Sequence, residues 1–260
     1  MNLNLTDKTA VVTGAGRGIG LATVRTLIGE GVRVVGADRS ISPELKETGA
    51  HPVSADLSTA EGVSTVIETA VAELGGIDLL VNNVGGTNGT ANYAFLDNDD
   101  ATWSGVFDIN VLSTVRAVRA ALPSLIERRG AIVNVASTVA QIPSSGPGPY
   151  SASKAAVTAL GKALSEEFGP QGVRVNTVSP GLVHTAAYED PEGPAVAMAA
   201  ALGLTPAEFV QKLVDDLHVT SGRMSRPEEI ATLIAFLLSD VAGNITGANY
   251  VIDGGTIKTV

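Results

Sequence analysis

Short apolar, β-branched runs alternate along this chain with longer stretches whose apolar positions recur at helical spacing. Thr9–Thr13, Arg33–Ala37, His51–Ala55, Leu79–Asn82, Ala131–Ala136, Val173–Ser179 and Tyr250–Asp253 read as strands. Ile19–Gly29, Ser58–Leu74, Tyr150–Phe168 and Pro227–Leu238 read as helices, Asp100–Glu127 holds a long one, and a short one lies within Pro43–Thr48. Pro227, followed by Glu228 and Glu229, suits a helix N-terminus, because proline needs no amide there and carboxylates face the positive end of the dipole. Strands such as Ala131-Ile132-Val133-Asn134-Val135 are apolar nearly throughout, as a sheet covered on both faces requires. The alternation predicts an α/β fold: a doubly wound parallel sheet of about seven strands, helices on both faces, joined by right-handed crossovers.

One stretch breaks the rhythm. Ala186–Gly222 exceeds a connection of usual length, carries Pro191, Pro194 and Pro206, and has an alanine-rich patch. Within it, Glu208–Leu217 places Phe209, Leu213 and Leu217 at helical spacing. The stretch reads either as a lid over a pocket or as a helical insertion without a functional role. No linker or repeat divides the rest, so residues 1–260 are expected to form one domain.

Composition narrows the function more than the fold. With 45% apolar residues, 17% charged residues and 29 glycines, the chain has an ordinary core and many tight turns. A net charge of −10 argues against nucleic acid or an anionic membrane surface as partner. The absence of cysteine excludes disulfides and thiolate chemistry and is compatible with a cytoplasmic setting. The first residues lack the basic-then-apolar pattern of a signal peptide, and no apolar run is long enough to span a bilayer. His51, His184 and His218 are too scattered for a metal site and read as loop or surface histidines; no metal is expected.

Two regions carry candidate chemistry. Thr13-Gly14-Ala15-Gly16-Arg17-Gly18-Ile19-Gly20 lies between the first strand and first helix, where glycines admit a pyrophosphate and the helix N-terminus supplies amide donors. A strict Gly-x-Gly-x-x-Gly pattern is broken by Ile19; the glycines that stand are Gly14, Gly18 and Gly20. Asp38, ending the second strand, is placed to meet ribose hydroxyls and to repel a 2′-phosphate, which favours NAD. Arg17 and Arg39 pull the other way, toward NADP. Asp56-Leu57 closes the third strand, where an adenine amino group would be accepted, unless Asp56 simply caps the next helix. Further along, Tyr150 and Lys154 stand four apart on a predicted helix and so share a face. An ammonium beside a phenol favours the phenolate and brings its proton within reach of neutral pH.

Taken in order, these motifs resemble the short-chain dehydrogenase/reductase family over nearly the whole chain. The sequence shows Thr13…Gly14…Gly18…Gly20, Asn82-Asn83-Val84-Gly85, Asn110, Ser137, Tyr150…Lys154, and Ser179-Pro180-Gly181-Leu182-Val183-His184-Thr185. Val84 departs from the family's usual alanine. The resemblance implies a Rossmann fold and a catalytic tetrad. Tyr150 would be the general acid or base, and Lys154 would lower its pKa and hold the nicotinamide ribose. Ser137 would hydrogen-bond the substrate oxygen, and Asn110 would hold a water linking Lys154 to solvent. It also places Asn83, Gly85, Pro180, Gly181, Val183 and Thr185 around the cofactor, with Thr185 at the carboxamide. Substrate contacts are expected from Thr87, Gln141, Ile142, His184, Tyr188 and Met198, a mix that suits a modest secondary alcohol or ketone.

Two rivals stand beside an NAD-dependent dehydrogenase. One is an NADP-linked 3-oxoacyl-[acyl-carrier-protein] reductase, which needs basic residues at the entrance; Arg128-Arg129 would supply one part, and Gln171-Gly172 offers no second cation. The other is a non-catalytic dinucleotide sensor or scaffold, against which the intact tetrad speaks. Family resemblance further implies a homotetramer, with Val111, Val115, Val118, Leu122, Ala155, Ala159 and Ala163 offering small apolar faces for packing.

Overall fold

The computed structural model describes residues 2–88, 94–188, 190 and 193–259. Its strands are β1 (Thr9–Thr13), β2 (Arg33–Asp38), β3 (His51–Ser54), β4 (Leu79–Asn82), β5 (Ala131–Val135), β6 (Arg174–Pro180) and β7 (Asn249–Ile252). They form one seven-stranded sheet in the order β3-β2-β1-β4-β5-β6-β7. Every neighbouring pair is parallel, with Val12 opposite both Gly36 and Val81. Strand order reverses between β1 and β4, so a crevice opens at the carboxyl ends of those strands.

The helices are α1 (Gly18–Gly29), α2 (Pro43–Lys46), α3 (Ala60–Leu74), α4 (Asp100–Phe107), α5 (Ser113–Glu127), α6 (Gly148–Phe168), α7 (Pro194–Ala201), α8 (Pro206–Asp216) and α9 (Pro227–Leu238). Successive strand residues point to opposite faces. Val12, Val34 and Val133 therefore join Leu27, Ile230 and Ile234 under α1 and α9. Val11, Leu80 and Ile132 join Val66, Ile67, Ala121 and Leu125 under α3 and α5. Two buried layers on one sheet explain why its strands read as continuous apolar runs. Arg174 secures one end: its guanidinium donates to the Leu237, Leu238 and Ser239 carbonyls at 2.7–3.1 Å, closing the C-terminus of α9.

Three expectations need correction. The helix expected within Asp100–Glu127 is interrupted by a π-turn at Asp108–Leu112, which shifts the backbone pairing without disturbing the apolar pattern. That stretch is also long and apolar enough to cross a bilayer, contrary to the reading of the sequence. Its apolarity is accounted for by Val106, Ala117, Val118, Ala121 and Leu125, which are buried in the protein core. The insertion holds two helices, α7 and α8, where the sequence indicated one over 208–217. Thr205 and Glu208 form a reciprocal capping box at the start of α8. Val214, Val219 and Met224 make a small separate core there, with Tyr188, Leu213 and Leu217 packed on it. The two ends of the insertion are stitched together: Ser225 N donates to the Leu182 carbonyl (2.9 Å) and His184 N to the Ser225 carbonyl (2.8 Å).

Candidate active site

A cleft of about 1000 Å³ opens at the carboxyl edge of the sheet. At one end lies the turn between β1 and α1. Gly14 and Gly18 adopt φ of +66° and +55°, which glycine tolerates best. Gly20 does not line the cleft; a Cβ there would overlap the Gly14 carbonyl and come within 2.6 Å of Asn83 Nδ2. Its role is close packing of helix on turn. Asn83 holds the turn from the other side, donating from Nδ2 to the Thr13 (2.9 Å) and Gly14 (3.1 Å) carbonyls. Arg17 supplies no side-chain cap to α1, so the first-turn amides remain available where Arg17, Gly18 and Ile19 line the cleft.

The Asp38 carboxylate, at the end of β2, accepts from Gly16 N at 2.9 Å. A Cβ on Gly16 would lie 2.9 Å from that carboxylate oxygen, so glycine is needed for the approach. Arg39, Asp56 and Leu57 complete this end. Asp56 is not the N-cap of α3; Thr59 is, accepting from Gly62 N at 3.0 Å. Hydrogen bonds from the Ser58 hydroxyl (2.6 Å) and amide (2.9 Å) instead hold the Asp56 carboxyl below its usual range, so it is ionised at neutral pH.

At the other end, α6 presents Tyr150 and Lys154 on one face, with Lys154 Nζ 5.7 Å from the centre of the Tyr150 ring. Lys154 is 3% exposed, donates to the Val135 carbonyl at 2.9 Å, and is brought down to about 8 by burial. The Tyr150 phenol is not lowered as the sequence suggested. Burial raises it above its ordinary value, and a side-chain hydrogen bond with Ser137 only partly opposes this. The site therefore holds a protonated phenol at neutral pH, next to a hydroxyl and beside a desolvated ammonium.

Asn110, in the π-turn, is 1% exposed. Its Oδ1 accepts from Gly86 N (3.1 Å), and its Nδ2 donates to the Gly86 (2.8 Å) and Val106 (2.8 Å) carbonyls. The side chain thus clamps the loop after β4, on which Gly85, Gly86, Thr87 and Asn88 line the cleft.

Pro180, Gly181, Val183 and Thr185 line the cleft beside this loop. Of the six expected substrate contacts, only Thr87 does so. Gln141 is exposed and Ile142 half-buried on the loop before α6, and Met198 is exposed on α7. His184 stacks on Tyr188 with ring centres 5.9 Å apart, and Tyr188 turns to the insertion's own core. Asn88, Ser58, Ala136, Ile109 and Ala186 were missed; the first two border predicted motifs, whereas Ile109 reaches the cleft through the π-turn. The charged lining residues other than Lys154 all belong to the turn after β1 or the ends of β2 and β3. Thr87, Asn88, Ser137 and Thr185 give the Tyr150 end a neutral polar surface among the described residues.

A family model described as enoyl-(acyl carrier protein) reductase matches residues 14–256. The chain is 33% identical to the 3-oxoacyl-[acyl-carrier-protein] reductase of Vibrio cholerae, over 97% of this chain and 98% of that protein. It is 31% identical to a 3-alpha-(or 20-beta)-hydroxysteroid dehydrogenase of Mycobacterium bovis, over 99% and 92% of the two chains. The crystal structure of L-sorbose reductase from Gluconobacter frateurii, complexed with NADPH and L-sorbose, superposes with a TM-score of 0.92 at 32% identity over the whole of both chains.

Proposed function

The chain belongs to the short-chain dehydrogenase/reductase family, and on that premise we propose that it interconverts a secondary alcohol and a ketone with NAD(H), using Tyr150 as general acid/base. The single observation that carries this reading is the convergence of Ser137, Tyr150 and Lys154 at one end of a cleft whose other end is a glycine turn with uncapped helix amides. These residues fit a dinucleotide. The turn amides and Arg17 would meet the pyrophosphate, Asp38 the adenosine ribose, Asp56 and Leu57 the adenine, and Lys154 the nicotinamide ribose. Asn83, Gly85, Pro180, Gly181, Val183 and Thr185 would enclose the remainder. When bound, the nicotinamide supplies the acceptor or donor of the hydride.

In the reducing direction Tyr150 donates its proton to the ketone oxygen as the carbonyl carbon gains hydride; in the oxidising direction the phenolate takes the hydroxyl proton. Ser137 holds that oxygen by a hydrogen bond. Lys154, cationic below about 8, favours the phenolate when the proton leaves. The neutral polar lining at this end supports an uncharged substrate.

Asp38 supports NAD over NADP, because a carboxylate beside the ribose disfavours a 2′-phosphate. Arg17 and Arg39 share that end and support the opposite choice. A screen of secondary alcohols with each dinucleotide, read as absorbance of the reduced nicotinamide, tests the reading. Asp38→Asn keeps an acceptor for Gly16 N while removing the charge, and should move the kcat/KM ratio toward NADP. A wild-type NADP preference unchanged by that substitution would overturn the NAD assignment.

The acyl-carrier-protein reading is the less supported of the two enzymatic ones. Arg128 and Arg129 precede β5 and so lie at the amino edge of the sheet, opposite the cleft. Arg128 donates to the Gly75 carbonyl (2.6 Å) and lies 3.5 Å from Asp78, so it is already engaged. The expectation that this pair serves the site entrance is therefore corrected within the single chain. The proposal includes a cytoplasmic setting and a homotetramer: Ala155, Ala159 and Ala163 form an exposed face on α6, whereas Val118 belongs to the protein's own core.

A further inference from the structure

The insertion and the cofactor-loop segment Pro180–Thr185 are joined by an element that the catalytic reading does not use. β7 is followed by Asp253 and then Gly254-Gly255, with φ of +64° and +82°, where the chain turns. Asp253 organises the turn: Oδ1 accepts from Gly255 N at 2.8 Å and Oδ2 from Ile257 N at 2.7 Å. On one side this turn meets the cleft. Gly181 N donates to the Ile252 carbonyl at 3.0 Å, and a Cβ on Gly181 would lie 2.7 Å from Asp253 Cβ. On its other side it grips the end of the insertion. Ser221 N donates to the Gly254 carbonyl (2.8 Å), and the Thr220 hydroxyl donates to the Gly255 carbonyl (2.8 Å).

Lys258 closes the arrangement. Its ammonium donates to the His218 carbonyl (2.7 Å), to Thr220 Oγ1 (2.7 Å) and to the Gly255 carbonyl. His218 follows directly on the C-cap of α8 and has a left-handed φ of +49°. The cation thus sits where the α8 dipole is negative and where a terminal carbonyl would otherwise face water. One short tail therefore touches both the segment that lines the cleft and the stretch 218–221 that leaves the C-terminus of α8.

We propose that the tail Asp253–Lys258 is a brace that ties the α8 unit to the cleft-lining segment Pro180–Thr185, with Lys258 as a positioning residue for substrate binding. The proposal rests on the dehydrogenase reading and on α7–α8 acting as the lid. Lys258 touches neither the glycine turn nor Tyr150, so its removal should loosen the lid while leaving the dinucleotide end and the chemical step intact. The other lid attachments, at Leu182, His184 and Ser225, remain in place without it.

The test compares the wild type with Lys258→Met, Lys258→Arg and Thr220→Val. Met should raise KM for the alcohol by about two- to fivefold, the size expected from losing one partly exposed cation at a helix C-terminus, with kcat unchanged. Arg should restore KM, and Thr220→Val, which removes an acceptor of the same ammonium, should raise it in the same direction. Cofactor affinity should be equal in all four proteins. Amide hydrogen exchange should quicken over 206–222 in the Met variant and not in β1–α1. The exchange measurement needs no turnover, so it reports on the brace even where the dehydrogenase reading fails for want of any active alcohol. Unchanged KM and exchange in Lys258→Met would overturn the proposal, as would a parallel loss of cofactor affinity and thermal stability.

Discussion

Asn110→Leu separates a clamp from a bystander. Leucine shares the branched outline of asparagine and is larger, so the substitution removes polarity without opening a cavity and adds some overpacking. It takes away three hydrogen bonds, one accepted from Gly86 N and two donated to the Gly86 and Val106 carbonyls. Asn110 itself is 1% exposed, but Gly86 is only half-buried, so water recovers part of the loss on that side. With each bond worth about 1 kcal/mol net, and more where a group stays buried and unpaired, the expected destabilisation is about 2–4 kcal/mol. Urea unfolding at neutral pH would measure it. Calorimetric titration with the dinucleotide should show weaker binding as well, because Gly85 and Thr87 lose their anchor. A loss below about 0.5 kcal/mol, within the range of neutral surface changes, together with unaltered cofactor affinity would refute the clamp.

Three further substitutions follow from the same geometry. Gly20→Ala drives a Cβ into the Gly14 carbonyl and should cost about 1–3 kcal/mol by overpacking and abolish dinucleotide binding. Gly29→Ala on the same helix meets open space and should be neutral or stabilise by up to about 1 kcal/mol; thermal unfolding of the pair checks both. Lys154→Met tests desolvation. The lysine falls from 10.5 to about 8 on folding, so the unfolded chain binds more protons between those values and wild-type stability rises with pH across that window. Below about 8 the burial penalty is fully present, worth about 3 kcal/mol less whatever the Val135 hydrogen bond returns. The Met variant should be inactive yet at least as stable as wild type at pH 7, with its advantage shrinking by about pH 10 in urea titrations. A variant less stable at pH 7 would contradict the desolvation argument.

The sheet and its helices were legible because strands covered on both faces leave an unmistakable apolar record, as in Ala131–Val135. Tyr150 and Lys154 were legible because a spacing of four residues on a helix fixes their common face. What escaped had no signature in periodicity. The π-turn at Asp108–Leu112 carries no glycine or proline to mark it, yet it sets Asn110 against Gly86 and turns Ile109 toward the cleft. The sequence pattern assigns Gly16 no role beside Gly14, Gly18 and Gly20, and the approach of the Asp38 carboxylate shows what it does. α7 is apolar on all sides, so no stripe marked it. The direction of the Tyr150 shift is set by burial, which the Ser137 hydrogen bond only partly opposes, and spacing alone does not reveal burial.

The central claim is that Tyr150 moves the proton while the cleft holds the dinucleotide. Tyr150→Phe tests it most directly, assayed for turnover with the best alcohol from the screen and for dinucleotide affinity by titration. The account predicts no detectable turnover with affinity close to wild type. Retained turnover would contradict it.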